Sequence, residues 1–135
     1  MSRRITLCRD ESGAASIEMA LAVPVLAVFL WGIFQVGIAF QAVAGMNHAL
    51  GEGARYATIF PTPSNTLVEN RIKDKVFGVG IGEFEDPTVT DGPSGSNYKD
   101  LSVTFSMTTS FLFFEGPDIE LTRSKRVYTY IPAAS

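Results

Sequence analysis

The chain has 135 residues, enough for one domain, with a net charge of −3 and a pI near 5.1. That acidic balance gives no basic face for nucleic acid. The sequence shows no metal-ligating cluster, no phosphate loop and no glycine-rich turn between strand and helix, so an enzyme is not expected.

The first thirteen residues, MSRRITLCRDESG, form a polar arm carrying Arg3, Arg4 and Arg9. Positive residues beside an apolar span favour the cytoplasmic side, which places the N-terminus inside and residues from about 45 onward outside. Cys8, the only thiol, lies in this arm and has no partner for a disulfide. A lipoprotein reading fails because no apolar signal precedes it. An acylated juxtamembrane cysteine and an inert one stay open.

Met19–Phe40 follows, twenty-two residues in which Gln35 is the only polar side chain. About 20 apolar residues cross a bilayer core, so this run is long enough to span. It exceeds the apolar core of a secretory signal, and Ala42-Val43-Ala44 lies too far along to be its cleavage site. Pro24 removes a helix hydrogen bond to the carbonyl of Ala20 and predicts a kink. Trp31 is expected mid-span.

Glu18 stands at the start of this run, five residues after Gly13. A carboxylate at the edge of hydrocarbon costs about 2–3 kcal/mol, and such residues are usually paired and functional. The order basic arm, glycine, four small or apolar residues, glutamate and apolar helix resembles the processing site of type IV pilins and pseudopilins. The resemblance implies cleavage after Gly13 by a prepilin peptidase, with Ala14 as the new N-terminus, often N-methylated, and Glu18 as its fifth residue. An ammonium at Ala14 inside a low-dielectric bundle needs a counter-charge. A neighbouring subunit's Glu18 would supply it and fix the axial register. The plainer reading is a carboxylate that marks the headgroup boundary.

Gln41–Thr58 keeps small and apolar residues at four-residue spacing: Gly45, Ala49, Gly53 and Ala57 on one ridge, Ala42, Met46, Leu50 and Ala54 on the next. Such ridges permit close helix packing, in lipid or in protein. Gly51 and Gly53 each cost about 1 kcal/mol in a helix, which implies close approach or a local break. The helix is predicted to end before Pro61-Thr62-Pro63. Gly13–Phe40 together with HALGEGARYAT is similar to the TadE family of the tight-adherence pilus system. The shared elements are a G-A-x-x-x-E-x-A start, a proline in the span and a later G-A-R-Y-A block, here Gly53–Ala57. Met19 departs from the aromatic that usually follows the glutamate in major pilins, and the chain is far longer than those. Both departures favour a minor, pseudopilin-like component.

The resemblance implies an inner-membrane, single-pass protein with a periplasmic C-terminal domain, either retained there or incorporated into a pilus. Its partners would be the prepilin peptidase, other pilin or pseudopilin subunits, the assembly platform and membrane lipid. No cofactor is expected. The other readings are an uncut single-pass protein whose outer domain binds a partner, and a pseudopilin of a type II secretion system.

Arg55 and Tyr56 are the first charged and aromatic pair outside the span, and Glu52 can pair with Arg55 at i,i+3. They read either as a solvated turn with a packed tyrosine or as a partner contact. His48 has no ligand cluster in the sequence and reads as a stem surface residue. A second helix is predicted over 64–79, capped by Ser64 or Asn65, with Leu67, Val68, Ile72, Val76 and Phe77 as its apolar stripe. Alternation predicts strands at 88–90, 101–108 and 127–131, with a turn or loop over 91–97. Glu83, Glu85, Asp86 and Asp91 could hold calcium but lack the EF-hand loop pattern, so a solvated loop is the simpler reading. Phe111-Leu112-Phe113-Phe114 reads either as an exposed contact patch, with Phe111, Phe113 and Phe114 meeting a partner, or as a buried closure of the core.

The expected fold is α+β and pilin-like: a long N-terminal helix carrying a second short helix and a small antiparallel sheet. Its parts are a leader over 1–13, a transmembrane and stem helix over 14–58, and an extracytoplasmic domain over 59–135.

Overall fold

The computed structural model describes residues 11–78, 80–111 and 114–130. Its axis is one helix, α1 (Glu11–Ala57), 47 residues long and unbroken in its assignment through Pro24. At 1.5 Å per residue that is about 70 Å. The helix has two regimes along its length. From Gly13 to Phe34 every side chain is exposed or half-buried. From Gln35 onward one face is covered, with Gln35, Ile38, Ala42, Met46, Ala49, Gly53 and Ala57 buried at helical spacing.

The chain leaves α1 at Thr58 and turns through Pro61 and Pro63 into α2 (Asn65–Lys73). This helix is shorter than the span predicted from the sequence. Ser64 occupies the N-cap, but its side chain makes no cap hydrogen bond. Val68 and Ile72 are fully buried, while Leu67 and Phe77 are exposed, so the apolar stripe is narrower than expected. After Asp74 the backbone must pass close across α1. A Cβ at Gly45 would stand 1.9 Å from the carbonyl oxygen of Phe77, so only glycine admits this crossing.

Among the described residues the sheet is antiparallel and has four strands, one more than predicted: β1 (Glu83–Phe84), β2 (Thr88–Asp91), β3 (Tyr98–Phe111) and β4 (Phe114–Tyr128). β3 is central. β4 pairs along its whole length on one side, and β2 and β1 share the other, at Lys99–Ser102 and Phe105–Ser106. Alternation along β3 buries Leu101, Val103, Phe105 and Met107 against the helices and turns Ser102, Thr104 and Ser106 outward. β4 begins and ends earlier than the last strand predicted. Its middle, GPDIELTRSKR, has no clean alternation, and its strand form follows from pairing with β3. Pro117 is tolerated because β4 is an edge strand. Thr129 and Tyr130 lie beyond it, and Ile131 is outside the described residues.

The core is the seam between the upper half of α1, α2 and the inner face of β3. Phe105, Met46, Leu50, Ile72 and Leu101 are fully buried there. Each contributes about 1.5–3 kcal/mol of apolar transfer. The architecture is the α+β arrangement expected, a long apolar N-terminal helix carrying a short helix and a small antiparallel sheet.

Candidate functional site

The N-terminal motif lies at the bare end of α1. Gly13 is the third residue of the helix and half-buried; Ala14 and Glu18 are exposed. No ion pair among the described residues involves Glu18. Pro24 is also exposed, two turns further on. The arm before Glu11, with Cys8 and the three arginines, is outside the described residues.

The small-residue ridge higher up serves the chain's own domain. Gly45 faces the backbone of Phe77, and a Cβ at Gly53 would fall 2.3 Å from Ile72 Cγ1 and 3.2 Å from Leu101 Cδ2. Ala49 and Ala57 are buried in the same core. The two glycines that read in sequence as close approach or a local break are one close approach, at Gly53, and one open position, at Gly51.

A contact with no sequence signature ties the hairpin to the helix. Gln35 Nε2 donates to the carbonyl of Ser110 at 2.8 Å, and the Ser110 N–H donates to Gln35 Oε1 at 3.0 Å. The Trp31 indole N–H donates to the same carbonyl. These groups are available because the β3–β4 register shifts between Thr108 and Ser110. The bulge turns the Ser110 backbone toward α1. Thr109, on the bulge, is buried and donates from Oγ1 to the Pro117 carbonyl at 2.6 Å. Beyond this clasp Phe111 pairs with Phe114, their rings stacked at 4.8 Å. Phe111 is half-buried and Phe114 is 60% exposed. The side chain of Phe113 is outside the described residues. Gln35 was visible as the lone polar residue of an apolar run; Ser110 and Thr109 gave no such signal.

At the top of the stem Arg55 donates to Glu52 at 3.3 Å, and Arg71 of α2 lies 3.7 Å from the same carboxylate. Arg55 points into solvent, while Tyr56 packs partly against the core. His48 is exposed with its ring 5.6 Å from that of Phe77.

The carboxylates at 83–91 are drawn apart by separate cations. Asp86 pairs with Lys73. Asp91 accepts from Lys99 Nζ at 2.6 Å and from Asn65 at 2.8 Å. Lys99 also donates to Asn65, which ties β3 and β2 to the start of α2. Hydrogen bonds from Lys99 and then Asn65 hold the Asp91 carboxyl below its usual range. On the outer face Asp100 holds Arg126 in a two-point pair, 2.8 Å at each contact, with the guanidinium 4.1 Å from the ring centre of Tyr98. The Arg126 hydrogen bond lowers the pKa of Asp100. Among the described residues no group of three or more His, Cys, Asp or Glu side chains could hold a metal ion.

The arrangement is therefore a bare apolar helix with a glycine and a glutamate at its foot, and a clasped domain at its head. Residues 13–55 match the family of TadE-like proteins. The matched segment runs from the glycine at the foot through the ridge that seats α2 and β3, and stops at Arg55. No curated protein and no solved structure gives a significant match. Among the described residues one N-terminal helix, within Gly13–Ala57, is long and apolar enough to cross a membrane, which suggests a single-pass anchor.

Proposed function

We propose that this chain is a minor pilin or pseudopilin of a tight-adherence pilus, processed after Gly13 and assembled through its stem helix. The observation that carries this reading is the division of α1. Within the TadE-like segment the foot is apolar, bears Glu18 and is exposed, while the upper part is covered by the chain's own domain.

That division assigns different work to the two halves. The upper half has its inner face filled by α2 and β3 and seats the domain on the stem. Below Trp31 the lower half has no cover from the rest of the chain among the described residues, so its apolar surface is satisfied by lipid before assembly and by neighbouring helices afterwards. Processing needs the Gly13–Ala14 bond in an extended form. Gly13 sits in the first helical turn, where unwinding breaks few hydrogen bonds and glycine resists it least. The new ammonium at Ala14 would pair with Glu18 of a neighbour, offset by about 6 Å of helix at 1.5 Å per residue. The peptidase, the inner-membrane location and the periplasmic side of the domain belong to the same proposal. So do the assembly platform and any partner contact made by the exposed Arg55.

The test compares wild type with Glu18→Ala in the native host, measuring membrane content and co-isolation with the other pilus subunits. Membrane insertion is expected to persist and co-isolation to be lost. Undiminished co-isolation of Glu18→Ala would remove the register role.

A further inference from the structure

We propose that Lys99 and Asn65 form a self-modifying pair: the lysine amine and the asparagine carboxamide condense to an amide bond joining β3 to α2, with Asp91 carrying the protons. The inference rests on the domain alone and does not depend on the fate of the foot of α1.

Lys99 is the one buried charged residue among the described residues. Lysine is seldom buried unless it is paired, and here it has two partners. Register places Lys99 directly opposite Asp91 on the neighbouring strand β2. Helix α2 brings the other group. Asn65 is its first residue, and one turn later Glu69 Oε1 accepts the Val89 N–H at 3.0 Å, which seats the helix on the same strand. The three side chains then close a ring of contacts. Lys99 Nζ donates to Asp91 Oδ1 at 2.6 Å and also to Asn65 Oδ1, while Asn65 Nδ2 donates to Asp91 Oδ2 at 2.8 Å.

Those are the parts of an amide exchange. The amine touches the carboxamide, and the two oxygens of one carboxylate stand on the nucleophile and on the leaving nitrogen. Amides resist amines in water, and fixed proximity with positioned proton transfer is what lowers that barrier. Hydrogen bonds from Lys99 and then Asn65 hold the Asp91 carboxyl below its usual range, so it stands in the base form that the first step needs. Asp91 Oδ1 takes a proton from the Lys99 ammonium. The freed electron pair attacks Asn65 Cγ, and the carbonyl π pair moves to Oδ1. As that oxyanion collapses, the Cγ–Nδ2 bond breaks and Nδ2 leaves as ammonia with a proton from Asp91. The newly bonded nitrogen gives its second proton to the same carboxylate. Of the two protons that Lys99 loses, one departs on ammonia and one stays on Asp91, whose side chain is 61% exposed and can release it to water. The product is a neutral amide where a buried ammonium stood, which removes a desolvation cost. It keeps one N–H for the Asp91 carboxylate and closes a covalent ring over 65–99.

The test is the intact mass of the full chain purified in detergent, followed by a tryptic digest. The wild-type chain is expected to be lighter by one ammonia than its sequence requires. The digest should hold a branched peptide joining 56–71 to 76–123, because an acylated Lys99 is not cleaved. Lys99→Arg keeps the positive charge but has no amine to acylate, so it should show full mass. Wild type at full mass, with ordinary cleavage after Lys99, would overturn the inference and leave an ion-pair network. Loss of ammonia without the branched peptide would overturn it in favour of cyclisation at an asparagine. A branched peptide formed equally in Asp91→Asn would overturn the proton-carrying role of Asp91.

Discussion

Gln35 and Ser110, 75 positions apart, are joined by a reciprocal pair of hydrogen bonds at 2.8 and 3.0 Å. An amide side chain inside the apolar stem thereby completes the backbone of a strand bulge and fixes where the hairpin ends on the helix. Gln35→Leu keeps the volume but leaves the Ser110 N–H without that partner and its carbonyl with Trp31 alone. The loss should be about 1–3 kcal/mol. Hydrogen exchange is expected to quicken at Thr109–Gly116 and to stay unchanged at Leu101–Phe105.

The stem glycines separate by what surrounds them. A Cβ at Gly45 would stand 1.9 Å from the Phe77 carbonyl, so Gly45→Ala must displace the segment after α2, at a cost of about 1–3 kcal/mol. Gly51 has nothing within 4 Å of such a Cβ. Gly51→Ala should therefore stabilise the helix by about 0.5–1 kcal/mol. Thermal unfolding in one detergent, with both variants beside wild type, should move the midpoints in opposite directions.

Acid should loosen the link between α2 and the sheet. Asp91 titrates below its usual range because Lys99, then Asn65, hydrogen-bond its charged form. A carboxyl depressed in the folded state contributes stability that is present above the ordinary aspartate pKa of about 4 and is lost as pH falls through the lowered folded value. The side chain of Asp91 is 61% exposed, so solvent screening limits the effect to about 1 kcal/mol or less. Asp91→Asn should lower stability at neutral pH and flatten the acid limb of a stability–pH curve. An unchanged limb would mean the pair contributes nothing.

The stem and the fold class were legible because each rests on a local pattern. The apolar run, the Gly13–Glu18 spacing and the four-residue ridge can be read without knowing what they touch. Gln35 stood out, but its partner depends on a bulge at Thr109 that no local pattern marks. β4 was mostly hidden because its strand form comes from thirteen paired positions with β3, against a sequence holding Gly116-Pro117 and a run of charges. β1 is only two residues long and exists because β3 offers a free edge there. Lys99 reads as an ordinary surface lysine until Asn65 and Asp91 are brought around it.

The central claim is that the foot of α1 is a processed pilin stem. The most direct measurement is the intact mass and N-terminal sequence of the protein recovered from membranes of its own host. The account predicts a chain that begins at Ala14, and a full-length chain when Gly13 is replaced by a bulky residue such as Phe. A wild-type chain that still begins at Met1 or Ser2 would contradict it and leave an uncut, membrane-anchored binding protein.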